Sequence, residues 1–108
     1  MSDKPARAGE PDPQRLEAVV HGRVHGVGFR VYALRVARGL ALQGWVANEA
    51  GGRVRVVAEG SPPQLVELVQ ALRVGPAAAL VDRVDETWSP ASGGLGSFEI
   101  RSGWHGGD

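Results

Sequence analysis

Apolar residues change rhythm repeatedly along this chain, and each change marks an element. "RLEAVVHGRV" (Arg15 to Val24) is valine-rich, follows a polar tail and runs into glycines, the pattern of a strand. Phe29, Ala33, Val36, Ala37 and Leu40 then recur at helical spacing, which predicts an amphipathic helix over Phe29 to Leu40, with Gly39 weakening its last turn. "LQGWVANE" (Leu42 to Glu49) and the alternating "RVRVVAEG" (Arg53 to Gly60) read as strands, and the glycine-rich turn between them makes the pair a hairpin. Leu65, Leu68, Val69 and Leu72 form the buried stripe of a second helix. Ser61 suits its N-cap, Pro62 its first position and Gln64 a capping box, while Gly75 and Pro76 stop it. "ALVDRVDETW" (Ala79 to Trp88) predicts a fourth long strand, "SPASGGLG" a loop and "SFEIRS" (Ser97 to Ser102) a short last strand.

The order is β-α-β-β-α-β plus a short C-terminal strand, so the expected class is α+β, the ferredoxin-like βαββαβ sandwich. An antiparallel sheet would carry both helices on one face and leave the other to solvent. Residues 1–13 are polar with three prolines and are expected to be a disordered tail. Residues 14–102 form the domain and residues 103–108 a flexible end.

Composition narrows the chemistry. The chain of 108 residues is one domain's worth and holds no cysteine, which excludes disulfides, thiolate metal sites and cysteine nucleophiles. No apolar run approaches the ~20 residues of a membrane span, and "MSDKPARAGEPDPQR" lacks the apolar core of a secretory signal, so a cytoplasmic protein is expected. Twelve basic residues balance twelve acidic ones, which argues against a general nucleic-acid binder. The distribution is uneven, however. From Ala18 to Asn48 there is no acid, but there are Arg23, Arg30, Arg35, Arg38, His21 and His25. Such a local field suits a small anion, although arginines also merely solvate a helix face.

The stretch "VHGRVHGVGFR" gives that field a focus. It joins a strand to a helix N-terminus, where unpaired N–H groups and the helix dipole favour an anion. Gly26 and Gly28 permit positive φ and close backbone approach to a ligand, and successive N–H groups can form a concave nest. Arg30 sits in the first helical turn, the wrong end for a cation, at a cost of about 0.3–1 kcal/mol that a bound anion would offset. Its planar fork matches a phosphate. Neither the G-x-x-x-x-G-K-[ST] loop nor the dinucleotide fingerprint is present. A glycine loop is by itself also a tight strand-to-helix connection. Asn48, just before the hairpin turn, is a common turn residue, yet its amide can also hold a water in one orientation.

Together the two stretches resemble the acylphosphatase family. "GRVHGVGFR" (Gly22 to Arg30) is similar to that family's G-x-V-Q-G-V-x-F-R signature. Gly44, Trp45, Val46, Asn48, Gly52, Val54 and Gly60 fill the fixed places of its second signature. "VGP" (Val74 to Pro76) and the "DRV" that follows are similar too, and the likeness runs from about Leu16 to Arg101. It implies the ferredoxin-like fold and hydrolysis of acyl phosphates to carboxylate and inorganic phosphate. It implies that His25, Gly26, Val27, Gly28, Phe29 and Arg30 hold the phosphate, that Arg30 and Asn48 are catalytic, and that Asn48 orients the attacking water. It implies no cofactor and no metal; the charge balance and the lack of a long apolar run point to no nucleic-acid and no membrane partner, and a monomer is the default for this fold and size. A phosphate- or carbamoyl-phosphate-binding accessory module without useful turnover is the alternative. A ferredoxin-like nucleic-acid binder is a weaker one, because it needs exposed aromatic and basic residues on the sheet.

The chain departs from the family in three ways. His25 stands in place of glutamine; it reads first as a solvent-facing loop side chain, and alternatively as a partner for loop backbone or, when protonated, as charge near the phosphate. Ala41 stands where the family ends its first helix with glycine, at a cost of about 1 kcal/mol if its backbone is left-handed. The N-terminal tail has no family counterpart. Trp45 and Trp88 read as strand packing, His21 as structural or surface, and Trp104 and His105 as part of the C-terminal end. Tyr32 either lines the pocket or packs.

Overall fold

Leu16, Ala18 and Val20 occupy every second position of β1 (Gln14–Arg23), and all three are fully buried, with Glu17 and Val19 half-buried between them. They face Ala58, Val56 and Val54 of β3 (Arg53–Gly60) across an antiparallel ladder, forming the centre of the core. A strand whose apolar set is this regular has one register that buries it; a slip by one residue turns every side chain to the wrong face. The computed structural model describes residues 12–102. The expected C-terminal end, with Trp104 and His105, lies outside those residues, as does the N-terminal tail apart from Asp12 and Pro13.

The elements follow the expected order: β1, α1 (Phe29–Gly39), β2 (Gln43–Glu49), β3, α2 (Pro62–Val74), β4 (Leu80–Pro90) and β5 (Glu99–Ile100). The sheet runs β4-β1-β3-β2-β5. Each neighbouring pair among the four long strands is antiparallel, whereas β5 pairs parallel to β2, so the sheet is mixed at this edge. The reason is topological. β4 ends at Pro90, opposite Gln14 at the start of β1, which is the end of the sheet where β2 begins. A segment returning along the free edge of β2 from there must run in the same direction as β2. It pairs only Glu99 with Trp45 and Ile100 with Val46, with a bridge at Ser97, so the strand is shorter than the six residues its sequence suggests.

Both helices lie against the core face. Phe29, Ala33 and Ala37 of α1 are buried, as are Leu65, Leu68, Val69 and Leu72 of α2. Each buried Leu or Phe side chain contributes about 1.5–3 kcal/mol. Tyr32 packs edge-on to Phe29 at 5.9 Å and donates its hydroxyl to the Ala71 carbonyl at 2.8 Å, tying α1 to α2. The capping box at α2 is incomplete: the Ser61 carbonyl accepts from Leu65, but the Ser61 hydroxyl bonds the Gln64 side chain instead of a backbone N–H.

Helix α1 ends on a left-handed residue, Ala41, at φ 59°. The Ala41 N–H reaches the Arg38 carbonyl and the Leu42 N–H reaches that of Ala37, the paired bonds of a Schellman stop. The strain of the left-handed site therefore falls on an alanine.

The face of the sheet without helices is less open than expected. Val57 and Ala47 lie on it at 4% and 5% exposure. In register, Val57 sits between Trp45 and Glu17, and Ala47 lies opposite Arg55. Arg55 bridges Glu17 and Glu49, and the Arg101 guanidinium stacks on Trp45 at 5.0 Å.

Candidate active site

The loop after β1 turns twice through left-handed glycines, Gly26 at φ 71° and Gly28 at φ 78°, the latter being the N-cap of α1. A Cβ at either position would meet nothing within 4 Å. These glycines are required by backbone conformation, and the space beside them is open to a ligand. The first helical bond of α1 runs from the Tyr32 N–H to the Gly28 carbonyl at 3.0 Å. Among the described residues, no hydrogen bond uses the N–H groups of residues 25–31. A run of free donors at a helix N-terminus suits an anion in both dipole and geometry.

Arg30 leaves this loop half-buried and, among the described residues, pairs with no carboxylate. By contrast Arg15, Arg53, Arg55, Arg73, Arg83 and Arg101 each hold an acid. Arg38 is a tether: its guanidinium donates twice to the Phe98 carbonyl, at 3.1 and 2.9 Å. Of the arginines in the acid-free segment, then, one fastens the chain to its C-terminal strand and another faces a hollow.

Asn48 comes from the far end of β2, opposite Val54. The ladders of β1 and β2 on β3 bring that end beside the loop, and a cavity of about 220 Å³ is lined by Gly26, Gly28, Phe29, Arg30 and Asn48 together with Val24, Val31 and Ile100. His25 and Val27 do not line it with their side chains, although their N–H groups belong to the loop. Ile100 was not legible as a site residue. It reaches the cavity only because β5 runs up the edge of β2, which no local pattern reports.

His25 is not solvent-facing. Its Nε2 lies 2.6 Å from the Arg53 carbonyl, an acceptor, so the ring donates there. The side chain thereby clips the loop to the first residue of β3, one pairing step from Asn48 and Val54.

A second anion site was also missed, and its anion is built in. Glu59, on β3, is 4% exposed. Its carboxylate accepts from the Ser92 N–H, the Ser92 hydroxyl, the Gly93 N–H and Arg15 Nε at 2.8–3.0 Å. Burial pushes its pKa up, but the Ser92 amide, Arg15, the Gly93 amide and the Ser92 hydroxyl outweigh burial and hold it at about 2. This cluster pins the loop that delivers β5. The only trace of it in sequence is an acid inside a buried strand run.

The fold and the loop define a class: a small α+β sandwich that presents a backbone anion cradle at the mouth of its first helix. Residues 16–100 match the family described as Acylphosphatase. A protein of Salinibacter ruber described as Acylphosphatase is 44% identical over 88 residues, 82% of this chain and 93% of that one. The crystal structure of acylphosphatase from Bacillus subtilis superposes with a TM-score of 0.79 at 35% identity, covering 82% of this chain and 98% of that one. Full-length HypF, in a phosphate- and nucleotide-bound crystal form, shares the fold at a TM-score of 0.80 and 24% identity, covering 94% of this chain but 13% of that one. The chain belongs to the acylphosphatase family. Among the described residues, no helix is long and apolar enough to cross a membrane.

Proposed function

We propose that this protein hydrolyses the carboxyl–phosphate bond of acyl phosphates, releasing a carboxylate and inorganic phosphate. The observation that carries the reading is one cavity where loop N–H donors, an arginine and an asparagine converge, all without a hydrogen-bond or ion-pair partner among the described residues. The N–H groups of residues 25–30 and the Arg30 fork hold the phosphoryl oxygens and stabilise their charge as the bond to the leaving carboxylate stretches. The Asn48 amide fixes a water in line with that bond. Water oxygen bonds to phosphorus, the phosphorus–carboxylate oxygen bond breaks, and the water proton passes to a phosphoryl oxygen. A carboxylate leaves readily, so no strong general acid is required. The protein acts in the cytoplasm as a monomer, without metal, cofactor or nucleic acid.

The test is steady-state hydrolysis of benzoyl phosphate in EDTA by the wild type, Asn48→Ala and Arg30→Ala. Turnover by the wild type, loss of turnover with retained phosphate binding in Asn48→Ala, and loss of both in Arg30→Ala are expected. A wild type that phosphate stabilises thermally but that turns nothing over would replace this reading with the accessory binding module.

A further inference from the structure

Asn48 borders two hollows. Besides the cradle cavity it lines a groove of about 370 Å³ with Trp45, Ala47, Glu49, Arg55 and Arg101. The groove lies on the sheet face without helices. Along β2, Val46 is fully buried in the core, so Trp45, Ala47 and Glu49 project from the other side. The C-terminal segment divides in the same way: Ile100 lines the cradle cavity and its neighbour Arg101 lines the groove. Among the described residues, the last bond from this segment to β2 runs from the Arg101 N–H to the Val46 carbonyl. Past it, no strand among the described residues pairs with the edge of β2 at Ala47 and Asn48. A molecule held by its phosphoryl group in the cradle therefore has a route past Asn48, over that edge, to Trp45.

Resting on the acyl-phosphate reading above, we propose that this groove is the subsite for the acyl group and that it selects flat, apolar, uncharged acyl groups, aromatic ones above all. Trp45 and Ala47 supply apolar surface. The charges around them are paired, although Glu49 Oε1 and Arg53 Nε make no hydrogen bond among the described residues. Arg55 holds Glu17 and Glu49, Arg53 approaches Glu49 at 3.5 Å, and Arg101 holds Glu99 at 3.0 Å. An acyl group with a second carboxylate finds no unmatched cation here, and an ammonium would have to compete with two arginines for Glu49. An arene loses nothing by this balance. It packs against Trp45, or against the Arg101 guanidinium that sits over that ring, 5.0 Å from its centroid.

The experiment compares kcat/KM for benzoyl phosphate and acetyl phosphate in the wild type, Trp45→Leu and Arg101→Ala. Inorganic phosphate inhibition and a thermal melt are run in parallel. The preference for benzoyl over acetyl phosphate is expected to fall about tenfold in Trp45→Leu and about threefold in Arg101→Ala, the scale of a lost arene contact. The inhibition constant of phosphate, which occupies the cradle alone, should stay within about twofold. Because Arg101 is half exposed, Arg101→Ala keeps the test informative if Trp45→Leu folds poorly. A wild type that hydrolyses both substrates, with a preference unmoved in Arg101→Ala and in any folded Trp45→Leu, overturns the subsite. A wild type that hydrolyses neither substrate overturns the acyl-phosphate reading, and the subsite with it.

Discussion

Two loops of this molecule are built to the same plan and put to opposite uses. The loop before α1 and the loop after β4 both offer backbone N–H groups from a glycine-containing turn, and both have an arginine at hand. In the second, the anion belongs to the chain: the Glu59 carboxylate takes the Ser92 and Gly93 amides and Arg15. In the first, the donors and Arg30 have no anion among the described residues. A cradle filled from within becomes a clasp, and its donors contribute to stability. A cradle left open keeps them for a visitor, and the fold tolerates this because the loop is at the surface, where water can serve the free groups. The same local chemistry thus gives structure or binding according to whether tertiary packing supplies the anion.

The comparison breaks most sharply at Arg30. Arg30→Ala should lower kcat/KM for benzoyl phosphate by about 10³-fold, the scale of a transition-state arginine, and abolish the thermal shift given by phosphate. It should leave the melt without phosphate unchanged or slightly higher, because Arg30 opposes the dipole of α1. Asn48→Ala should lower kcat by about 10²-fold with the phosphate shift intact.

Glu59→Gln is the mirror experiment. It should cost about 2 kcal/mol of stability at neutral pH, since hydrogen bonds to a buried charge are lost, while kcat at room temperature holds. The pH dependence follows from the depressed carboxyl. Its contribution is fully present above its ordinary value of 4.5 and disappears as pH falls toward about 2. Acid denaturation curves of wild type and variant, separated at pH 7, should converge across that window. Parallel curves would mean that Glu59 is not the charge that holds the loop.

His25 joins the open cradle to the strand pair that carries Asn48, so it positions rather than reacts. His25→Ala should raise KM about tenfold and lower kcat less. His25→Gln, which keeps a side-chain donor, should recover most of the loss. Equal defects in both variants would mean that the bond to the Arg53 carbonyl is unimportant. The smallest effect is at Ala41. Ala41→Gly relieves a left-handed alanine and adds unfolded-state entropy, leaving a gain of about 0.5 kcal/mol, seen as a melt a few degrees higher with unchanged kinetics.

The elements that could be read in advance are those whose signals are short-range. The buried stripe of α2, the alternation of β1 and β3, and the positive φ of Gly26 and Gly28 all follow from neighbours within a turn or a pleat. Arg30 and Asn48 were legible as candidates because each stands at the end of an element whose position the pattern reveals. His25 was misread as solvent-facing because its partner, the Arg53 carbonyl, is 28 residues away. The Glu59 clasp spans 33 residues to Ser92. No periodicity encodes either distance.

What the sequence by itself determined is the order and type of the elements, the place of the glycine loop at a helix mouth, and Arg30 and Asn48 as candidates for one site. Tertiary structure alone decided that β5 runs parallel to β2, that Ile100 closes the cradle while Arg101 turns to the other face, and which of two like loops keeps its donors free. Local steric and dipole preferences act over a few residues and are written in composition and spacing. Strand direction and anion supply depend on where chain ends meet across a sheet, which only the full set of pairings defines.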